Sequence, residues 1–536
     1  ANKTLRDSAA MRWFMLILLS ALMFATYWFQ DFYGGIKGLM ESELGFTSEE
    51  FGRVIGLTTI ANMFGMIIIG GIILDKWGIR LAGLAFGGLA ALGGLISAMA
   101  TNGYFGESHQ TQLTMMIVGR ILFGSGLEVT CVVATRTIVK WFKGYELALA
   151  MAINVGFGRL GSAMGIAISP DIANGHVSTA VTFAAGLIGL ALIFFIIYSF
   201  FDIKIDRQRT DAEKAEPEEE FKFNDLVKLA TNPSFIYIAL LCVAFYAAVF
   251  PFIQYAADML VNKFGFSYAL PLDGSGDVLL FGSKALGNTS IYAAFFLFGI
   301  GFSAVPANLK TKTQRYTTMV VVFLLFLVFL NVMGDTLKLW LQNGPKTASL
   351  IPLGTILFTP IFGSYVDRKG KGASLMILGS FLLIFAHLAL SLFNVKILAY
   401  VGLFSLGIAF SLVPAAMWPS VAKIVPEKRL GTAYASMFTV QNWGLGLFFW
   451  GLGALLDLVN RGNIEAIRAG EASYDCQIPI FVLVFCGVIS IFLSFKLKQA
   501  DKRQGYGLEL PSGARSLPVG RIYQRILLKM KFVLIT

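Results

Sequence analysis

The stretch GRILFGSGLEVTCVVATRTIVKWFKGYELALAMAINVGFGRLGSAMG, Gly119 to Gly165, decides how the chain folds. It contains two apolar segments of helical length, joined by the short basic turn Lys140 to Gly144. Each segment carries one ionisable residue near its centre, Glu128 in the first and Arg159 in the second. Counted along the helix, Glu128 lies roughly 18 Å and Arg159 roughly 22 Å from this turn. Both would then lie near the middle of a hydrocarbon layer ~30 Å thick.

Charges at that depth cost about 2.5 kcal/mol or more each unless they are paired or face water, so each is a candidate functional residue. Opposite charges at matched depth on consecutive helices predict a site for a solute that carries both an amine and a carboxylate. An ion pair that only fastens the two helices together explains the same pattern. The sequence alone leaves both interpretations of Glu128 and Arg159 open.

The composition is typical of a polytopic membrane protein. Of the 536 residues, 56% are hydrophobic and only 14% are charged, which is more apolar sequence than a soluble protein needs. The net charge of +11 does not indicate nucleic-acid binding, because the basic residues lie in short turns between apolar spans, as in cytoplasmic loops. The four cysteines show no CxxC spacing, and no convergent set of His, Cys and Asp appears. We therefore expect no cofactor, no metal site and no enzymatic activity.

Apolar spans recur along the whole chain. We expect an all-α polytopic protein of fourteen transmembrane helices, at about 12–33, 51–74, 79–100, 113–139, 146–170, 178–201, 234–261, 291–308, 316–334, 349–366, 373–393, 396–422, 431–457 and 478–496. If the N-terminus is cytoplasmic, the inner turns contain more lysine and arginine than the outer turns. This asymmetry places both termini in the cytoplasm.

The polar segment after Phe201 divides the chain into two parts. We predict an N-terminal six-helix bundle at 1–201, a cytoplasmic linker at 202–232 and a C-terminal six-helix bundle at 233–498. The C-terminal bundle carries two spans too many, and we assign these to an inserted helix pair at about 289–335. Both inserted spans are short, so peripheral or re-entrant packing is expected. A basic cytoplasmic tail follows at 499–536, and its end is either an amphipathic surface helix or disordered.

The two halves repeat a short motif. GIILDKWG, residues 71–78, follows the second span, and GSYVDRKG, residues 363–370, lies at the corresponding point of the second half. Glycine, aspartate, a basic residue and glycine occupy the same offsets in both. Parallel duplication of a six-span unit is the sequence mark of one large class of transporters.

This repeated turn resembles the signature loop of the major facilitator superfamily, and GRILFGSG (119–126) is similar to the fourth-helix motif of that superfamily. The chain further resembles the lysosomal dipeptide transporter branch. The similarity rests on the segments FGSGLE, WFKGYEL, GRLGSA, FPF, KFGFS, MWPSVAKIVPEKRLGTAY and VQNWGLG. It covers most of the core and breaks between Tyr268 and about Lys346, where the extra helix pair lies.

The resemblance implies an alternating-access transporter whose substrate is a dipeptide. A fourth-helix glutamate then binds the peptide amine, a fifth-helix arginine binds its carboxylate and a tenth-helix tryptophan packs nearby; the matching residues are Glu128, Arg159 and Trp418. It also implies a uniporter, which moves the peptide down its gradient without a coupled ion. The chemistry of the two side chains agrees with these roles, because the arginine guanidinium can bind a carboxylate through two hydrogen bonds and a glutamate can accept hydrogen bonds from an ammonium group.

Other polar residues near the middle or the outer ends of the spans are candidates for the same site. Gln441 and Asn442 either line the cavity or bond across helices, and Asn442 is the stronger candidate for lining. Tyr27, Tyr246 and Gln254 are expected to contact the substrate or line a gate, with ordinary interfacial aromatics as the alternative.

A second group is predicted to act in gating. The charges of the repeated motif and its surroundings are Asp75, Lys76, Arg80, Asp367 and Arg368. We interpret them as gate charges, with a role in topology alone as the alternative. Arg120 lies nearer the outer side, matches the superfamily motif and is interpreted as conformational or structural.

The first rival function is transport of another small organic solute, such as a sugar, an amino acid or an organic anion. A channel or a non-transporting sensor is a further alternative. The expected partners are the small-molecule substrate and the lipid bilayer, with a monomer as the simplest assembly. We expect a plasma membrane or a bacterial inner membrane rather than a lysosome, because no lysosomal address is visible near the N-terminus.

Overall fold

The computed structural model describes residues 4–209 and 222–511, and its regular structure is helical. The main helices are α1 (Ala9–Asp31), α2 (Ser48–Gly56), α3 (Met66–Thr101), α4 (His109–Phe142), α5 (Leu147–Ala173), α6 (Val177–Gln208), α7 (Pro233–Phe264), α8 (Lys284–Phe302), α9 (Lys312–Trp340), α10 (Leu350–Lys369), α11 (Gly372–Leu392), α12 (Lys396–Ile424), α13 (Leu430–Val459) and α14 (Gln477–Gln504). Short helices lie between them at Lys37–Leu44, Ile60–Met63, Phe223–Ala230, Ala304–Ala307, Gly344–Ala348 and Ile464–Arg468.

Thirteen helices within the described ranges are long and apolar enough to cross a membrane. One of them, α3, is not helical at Gly78, so it supplies both the end of the second predicted span and the whole of the third. The fourteen predicted crossings are therefore accounted for. The predicted fold class, an all-α membrane protein of two six-helix bundles with an inserted pair, is confirmed.

The two ends of the described chain lie on one side of the bundle, together with both ends of the linker. The backbone N–H of Leu5 donates to Gln208 at 2.9 Å, and Asn232 donates to the hydroxyl of Tyr506 at 2.9 Å. We call this side, which carries Leu5, Gln208, Asn232 and Tyr506, the terminal side, and the opposite side the distal side. α2 packs along α13 and α5 packs along α10, so these pairs join the halves.

The second span is broken rather than continuous, which differs from the prediction of one helix over 51–74. α2 ends at Gly56, and Gly65 then adopts a left-handed conformation with φ +85° before α3 begins. Met63 ends the short helix Ile60–Met63, and the indole N–H of Trp443 on α13 donates to its carbonyl at 2.9 Å. Since freed backbone groups inside a membrane need partners, the second half stabilises this break in the first.

The repeated motif forms a turn of the same kind in both halves. Gly78 and Gly370, its last glycines, both have positive φ, +79° and +74°. Only glycine adopts such a conformation at little cost. The spacing of the repeat thus corresponds to a repeated backbone geometry.

The inserted pair, α8 and α9, forms a hairpin on the outside of the bundle. Both helices are longer than predicted and long enough to cross a bilayer. α8 lies across the seam between the halves: Phe296 packs on Phe157 of α5 with ring centroids 4.6 Å apart, and Ser303 donates to the Ile356 carbonyl of α10 at 3.2 Å. The most apolar part of α9 contains no residue that is buried inside the protein, so this helix faces lipid. The packing is peripheral and not re-entrant.

The segments outside the two bundles are only partly described. Residues 210–221 of the predicted linker and residues 512–536 of the predicted tail, including its amphipathic end, lie outside the described residues. α14 continues to Gln504, beyond the predicted start of the tail at 499. The chain then packs on the start of α11, where Glu509 accepts from the backbone and the hydroxyl of Ser374.

Helices α3 and α4 approach each other most closely at glycines, which gives a test of the fold. A Cβ atom at Gly93 would lie 2.4 Å from the carbonyl oxygen of Gly119, whereas one at Gly88 of the same helix would have nothing within 4 Å. We expect Gly93→Ala to lower the free energy of unfolding by about 1–3 kcal/mol through overpacking. Gly88→Ala should be neutral or stabilise by up to about 1 kcal/mol, because alanine favours the helix.

Thermal unfolding of the two variants, followed by the loss of the monodisperse peak in size-exclusion chromatography, makes the comparison. Equal melting temperatures for Gly93→Ala and Gly88→Ala would contradict the close approach of α3 and α4.

Candidate functional site

A cavity of about 490 Å³ lies between the two halves, near the middle of the predicted spans. Six of the eight residues predicted for the binding site line it: Tyr27, Glu128, Arg159, Tyr246, Trp418 and Gln441. The volume is in the range of small-molecule sites, which are about 300–1,000 Å³.

Glu128 and Arg159 both line this cavity and are both half-buried. They do not form an ion pair with each other, and neither makes a hydrogen bond or an ion pair with any residue in 4–209 or 222–511. The structure therefore does not show the purely structural ion pair that the sequence left open. Both charges come from the first half, on the neighbouring helices α4 and α5.

Aromatic rings surround the guanidinium of Arg159. Its Cζ lies 4.4 Å from the ring centroid of Phe410, 5.9 Å from that of Phe250 and 6.0 Å from that of Tyr27. Rings at these distances attract a cation through their quadrupoles. They can hold the charged side chain in place while its hydrogen-bond donors stay free for an anion.

The wall opposite the two charges is formed by aromatic residues of the second half. Tyr246 stacks on Phe250 with centroids 5.1 Å apart and planes at 7°. The indole N–H of Trp418 donates to the Tyr246 hydroxyl at 3.0 Å, and its ring stacks on Phe438 at 5.1 Å. These contacts fix the rings and leave a broad apolar surface that can accept side chains of different shape.

The distal end of the cavity is closed. Gln254 of α7 donates from its amide to the Gln30 carbonyl at 3.2 Å and also to the carboxylate of Asp31, both on the first half. A Cβ atom at Gly34 would lie 2.9 Å from the Gln254 carbonyl oxygen, so the backbones of the two halves touch here. Gln254 thus joins the halves above the cavity and is not among the residues that line it. Towards the terminal side, the lining residue Val155 is 44% exposed.

The two neighbouring amides of α13 face different ways. Gln441 lines the cavity, whereas Asn442 is 2% exposed and donates to the Phe438 carbonyl of its own helix at 2.8 Å. The prediction favoured Asn442 for the lining, and the structure places Gln441 there. Consecutive residues of a helix point about 100° apart, so the position of a residue along the span does not decide which way it faces.

The predicted gate charges lie on the terminal side. Asp75 pairs with Arg136 of α4 at 2.6 Å, and Arg80 pairs with Asp202 of α6 at 2.6 Å. Both pairs lie within the first half. Lys76, Asp367 and Arg368 are exposed on the same side.

Arg120, the remaining residue of the gating group, is 1% exposed and lies near the distal end of α4. Its guanidinium donates to the carbonyls of Phe29 at 2.6 Å and Gln30 at 3.0 Å, at the end of α1. The rings of Phe29, Tyr33 and Phe123 lie within 5.2–5.6 Å of it. The residue ties α4 to α1 next to the closed end of the cavity.

Sequence reasoning missed several lining residues, above all Phe410 of α12 and the threonines Thr355 and Thr359 of α10. Phe410 could have been found from its spacing. It lies four residues before Pro414 and eight residues before Trp418, so the three residues share one face of the helix. The threonines gave no comparable signal, because hydroxyls are common in transmembrane helices and bond to their own backbone.

The geometry at Arg120 predicts that lysine cannot replace it. Arg120→Lys retains the charge but loses the fork that reaches two carbonyls and the planar group between the rings. We expect a lower melting temperature, with a loss of about 2–3 kcal/mol in the free energy of unfolding. Thermal unfolding of the purified variant measures this; Arg53→Lys, in the i,i+4 pair with Glu49, is the control with little expected effect. An unchanged melting temperature for Arg120→Lys would contradict the structural role.

Comparison with known proteins gives three findings. Residues 16–341 match the Major Facilitator Superfamily. The lysosomal dipeptide transporter MFSD1 of Danio rerio is 24% identical over 458 residues, which cover 83% of this chain and 80% of that protein. The lysosomal dipeptide transporter MFSD1 of Homo sapiens is 24% identical over 471 residues, covering 85% and 82%.

Solved structures of transporters share the fold. The nucleoside transporter NupG superposes with a TM-score of 0.52 at 14% identity, covering 91% of this chain and 99% of that one. The D-xylose-proton symporter superposes with a TM-score of 0.56 at 12% identity, covering 91% and 97%. At these identities the likeness concerns the fold alone.

Proposed function

This chain belongs to the Major Facilitator Superfamily and is a membrane transporter rather than an enzyme, and we propose that its substrates are dipeptides, carried by alternating access. The observation that carries this proposal is the pair Glu128 and Arg159: opposite charges that share one cavity and are not paired with described residues. Two such charges at the membrane centre are costly unless they are paired, face water or are compensated by a bound solute. A zwitterion of suitable length compensates both, one at each end.

In this proposal the first half binds the two ends of the peptide. Glu128 accepts hydrogen bonds from the ammonium group, and the guanidinium of Arg159 donates to the carboxylate. A single amino acid holds its charges closer together than a dipeptide does, so fixed positions of the two partners select for length. The second half contributes rings such as Tyr246 and Trp418, which contact the side chains without demanding one shape.

The arrangement of contacts supports alternating access. The halves touch at the distal end, where Gln254 bonds to the first half, and the cavity is exposed towards the terminal side. The transporter cycle would open the distal contacts and close the terminal side, where Asp75 and Asp367 of the repeated motif lie. We propose that these charges, with Lys76, Arg80 and Arg368, form the terminal gate.

We further propose uniport by a monomer with both termini in the cytoplasm, as the charge asymmetry of the turns suggests. The similar proteins are named as lysosomal, which favours a lysosomal membrane over the plasma membrane or bacterial inner membrane expected from the sequence. The distal side would then face the lumen. An equal final accumulation of dipeptide with and without a pH gradient would support uniport, because only a coupled proton could drive the peptide above its own equilibrium.

The substrate can be tested by counterflow in liposomes that contain the full chain. We expect accelerated uptake of a labelled dipeptide when unlabelled dipeptide is inside. Unlabelled dipeptides should compete. N-acetylated and C-amidated dipeptides should compete at least about tenfold more weakly, because each blocked end loses a charge-assisted bond. Free amino acids should also compete more weakly, because their two charges lie too close together to reach both side chains. Equal competition by blocked and free peptides would contradict the proposal.

The two charges can be assigned separately with conservative variants. We expect Glu128→Gln and Arg159→Gln each to lower apparent affinity about 10- to 100-fold, the equivalent of one charge-assisted hydrogen bond. In Glu128→Gln the preference for a free amine should also disappear, while the preference for a free carboxylate remains; Arg159→Gln should show the reverse. Counterflow with blocked competitors measures both preferences.

The control is Cys131→Ser, a near-isosteric change in the same cavity, which should leave affinity within about twofold. If the parent chain takes up an organic anion but no dipeptide, and Glu128→Gln retains that uptake at full rate, the anion carrier is the correct alternative.

A further inference from the structure

A cluster of charged residues lies between the halves on the distal side, away from the cavity. The side chain of Lys37, in the short helix after α1, is fully buried. Its ammonium group lies 2.9 Å from the carboxylate of Asp258 on α7, 2.5 Å from that of Glu41 and 3.0 Å from the Ser48 hydroxyl. Lys37, Glu41 and Ser48 belong to the first half and Asp258 to the second, so the cluster assembles only when the distal side is closed.

The two carboxylates differ in how they are satisfied. Asp258 accepts from Lys37 at one oxygen and, at the other, from the Tyr268 hydroxyl and the Asn262 amide. In Glu41, the Oε1 atom takes all the contacts, from Lys37, the Ser48 hydroxyl at 3.1 Å and the Tyr474 hydroxyl at 3.2 Å. Its Oε2 atom accepts no hydrogen bond from the described residues.

The free oxygen of Glu41 is in reach of the distal solution. Glu41 lines a vestibule of about 880 Å³ on the distal surface, and its side chain is 18% exposed. Other charged groups line the same vestibule: Glu49, Asp457, Arg461 and Arg468. Glu49 pairs with Arg53, Asp457 accepts two backbone N–H groups at the start of α2, and the arginines are exposed. Among the described residues, none of these four charged groups forms an ion pair with Glu41 or Asp258, so they do not balance the charge of the buried cluster.

The cluster contains one ammonium group and two carboxylates, and therefore one negative charge in excess. Burial raises the pKa of Glu41; the Lys37 ammonium opposes this and the Asp258 carboxylate adds to it. Burial lowers the pKa of Lys37, but Asp258 and Glu41 outweigh burial and raise it well above its usual value, so the ammonium stays charged. The Tyr268 and Tyr474 hydroxyls also face the cluster, and burial raises the pKa of both, to about 12 for Tyr474. The thiol of Cys476 nearby has a raised pKa as well, again through burial.

We propose that Glu41 is a proton-binding site that belongs to the closed distal gate. With the distal side closed, a proton on Oε2 removes the excess negative charge and Oε1 continues to accept from Lys37. When the halves separate, Asp258 moves away with the second half and water reaches Glu41. Lys37 then pairs with one carboxylate instead of two. The proton is then released. Acid on the distal side therefore favours the closed gate.

This site is compatible with uniport, because the proton enters from the distal solution and returns to the same side. It uses the alternating-access motion of the proposed function but does not depend on the substrate. A test without substrate therefore separates the two.

The test measures the distal gate directly, by electron–electron double resonance between spin labels on the full chain in lipid nanodiscs. Labels at Tyr104→Cys and Asn463→Cys place one probe on an exposed distal loop of each half. The native cysteines are buried or half-buried, so the introduced pair reacts preferentially. Between about pH 8 and pH 5 we expect the short distance to gain population, with a midpoint above the ordinary glutamate pKa of ~4.3.

Variants identify the residue. Glu41→Gln, which imitates the protonated side chain, should show the short distance at both pH values. Glu43→Gln is the matched control on the same helix; Glu43 bonds to the start of α6 within the first half, next to His176, and the variant should keep the pH dependence of the parent. Loss of the pH dependence in Glu43→Gln would assign it to the His176 pair and overturn the proposal.

Two further results overturn the proton site in distinguishable ways. If the gate opens but its population is independent of pH, or if Glu41→Gln titrates like the parent, the proton site is wrong and alternating access stands. If only one distance occurs at every pH and in every variant, the motion itself is wrong, and the proton site fails with it.

Discussion

A charge inside a membrane protein must be compensated, and this requirement organises the molecule. Most buried charges here have partners built into the fold. Arg120 bonds to carbonyls at the end of α1, Lys346 bonds to Asp171 at 2.9 Å, and Lys140 bonds to Asp202 at 2.8 Å. Glu128 and Arg159 differ, because they face the cavity and neither has a hydrogen-bond or ion-pair partner among the described residues. The simplest account of that difference is that their compensation comes from a transported solute.

The same requirement explains why the sequence identifies the two charged residues of the site but not all of the residues that line the cavity around them. Apolar runs give the spans, and the distance from a basic turn gives the depth of Glu128 and Arg159, so both could be identified as a pair. The repeated motif likewise predicted a repeated turn, which Gly78 and Gly370 form. Depth, however, is a coordinate along the helix axis only. It does not determine the direction in which a side chain points around the helix axis, and this direction places Gln441 in the cavity and Asn442 outside it.

Other features could not be read from the sequence, because they depend on the packing of distant segments. Gln254 lies at a plausible depth for substrate contact, but α7 approaches the turn after α1 so closely at Gly34 that this amide bonds to the first half instead. The break in the second span needs the indole of Trp443, hundreds of residues later in the chain, to satisfy the Met63 carbonyl. Neither contact leaves a local pattern.

The division of roles between the halves follows from these contacts. The first half supplies both fixed charges, and the second half supplies the rings that face them. A solute bound by its ends would therefore move with the first half, while the second half slides over its side chains. The inserted helix α8 lies behind this boundary: a Cβ atom at the lining residue Gly156 would lie 3.1 Å from Phe296 of α8, and Gly299 of α8 is similarly close to Ile356. Ser303, directly after α8, donates to the Ile356 carbonyl of α10, so the end of α8 is attached to the second half. Its contact with α5 is apolar where Phe296 packs on Phe157, but near the distal end Asn288 of α8 donates to Asp171 of α5 at 3.2 Å. The alternating-access motion that we propose would therefore break this distal hydrogen bond together with the contacts of Gln254, while the apolar contact could slide.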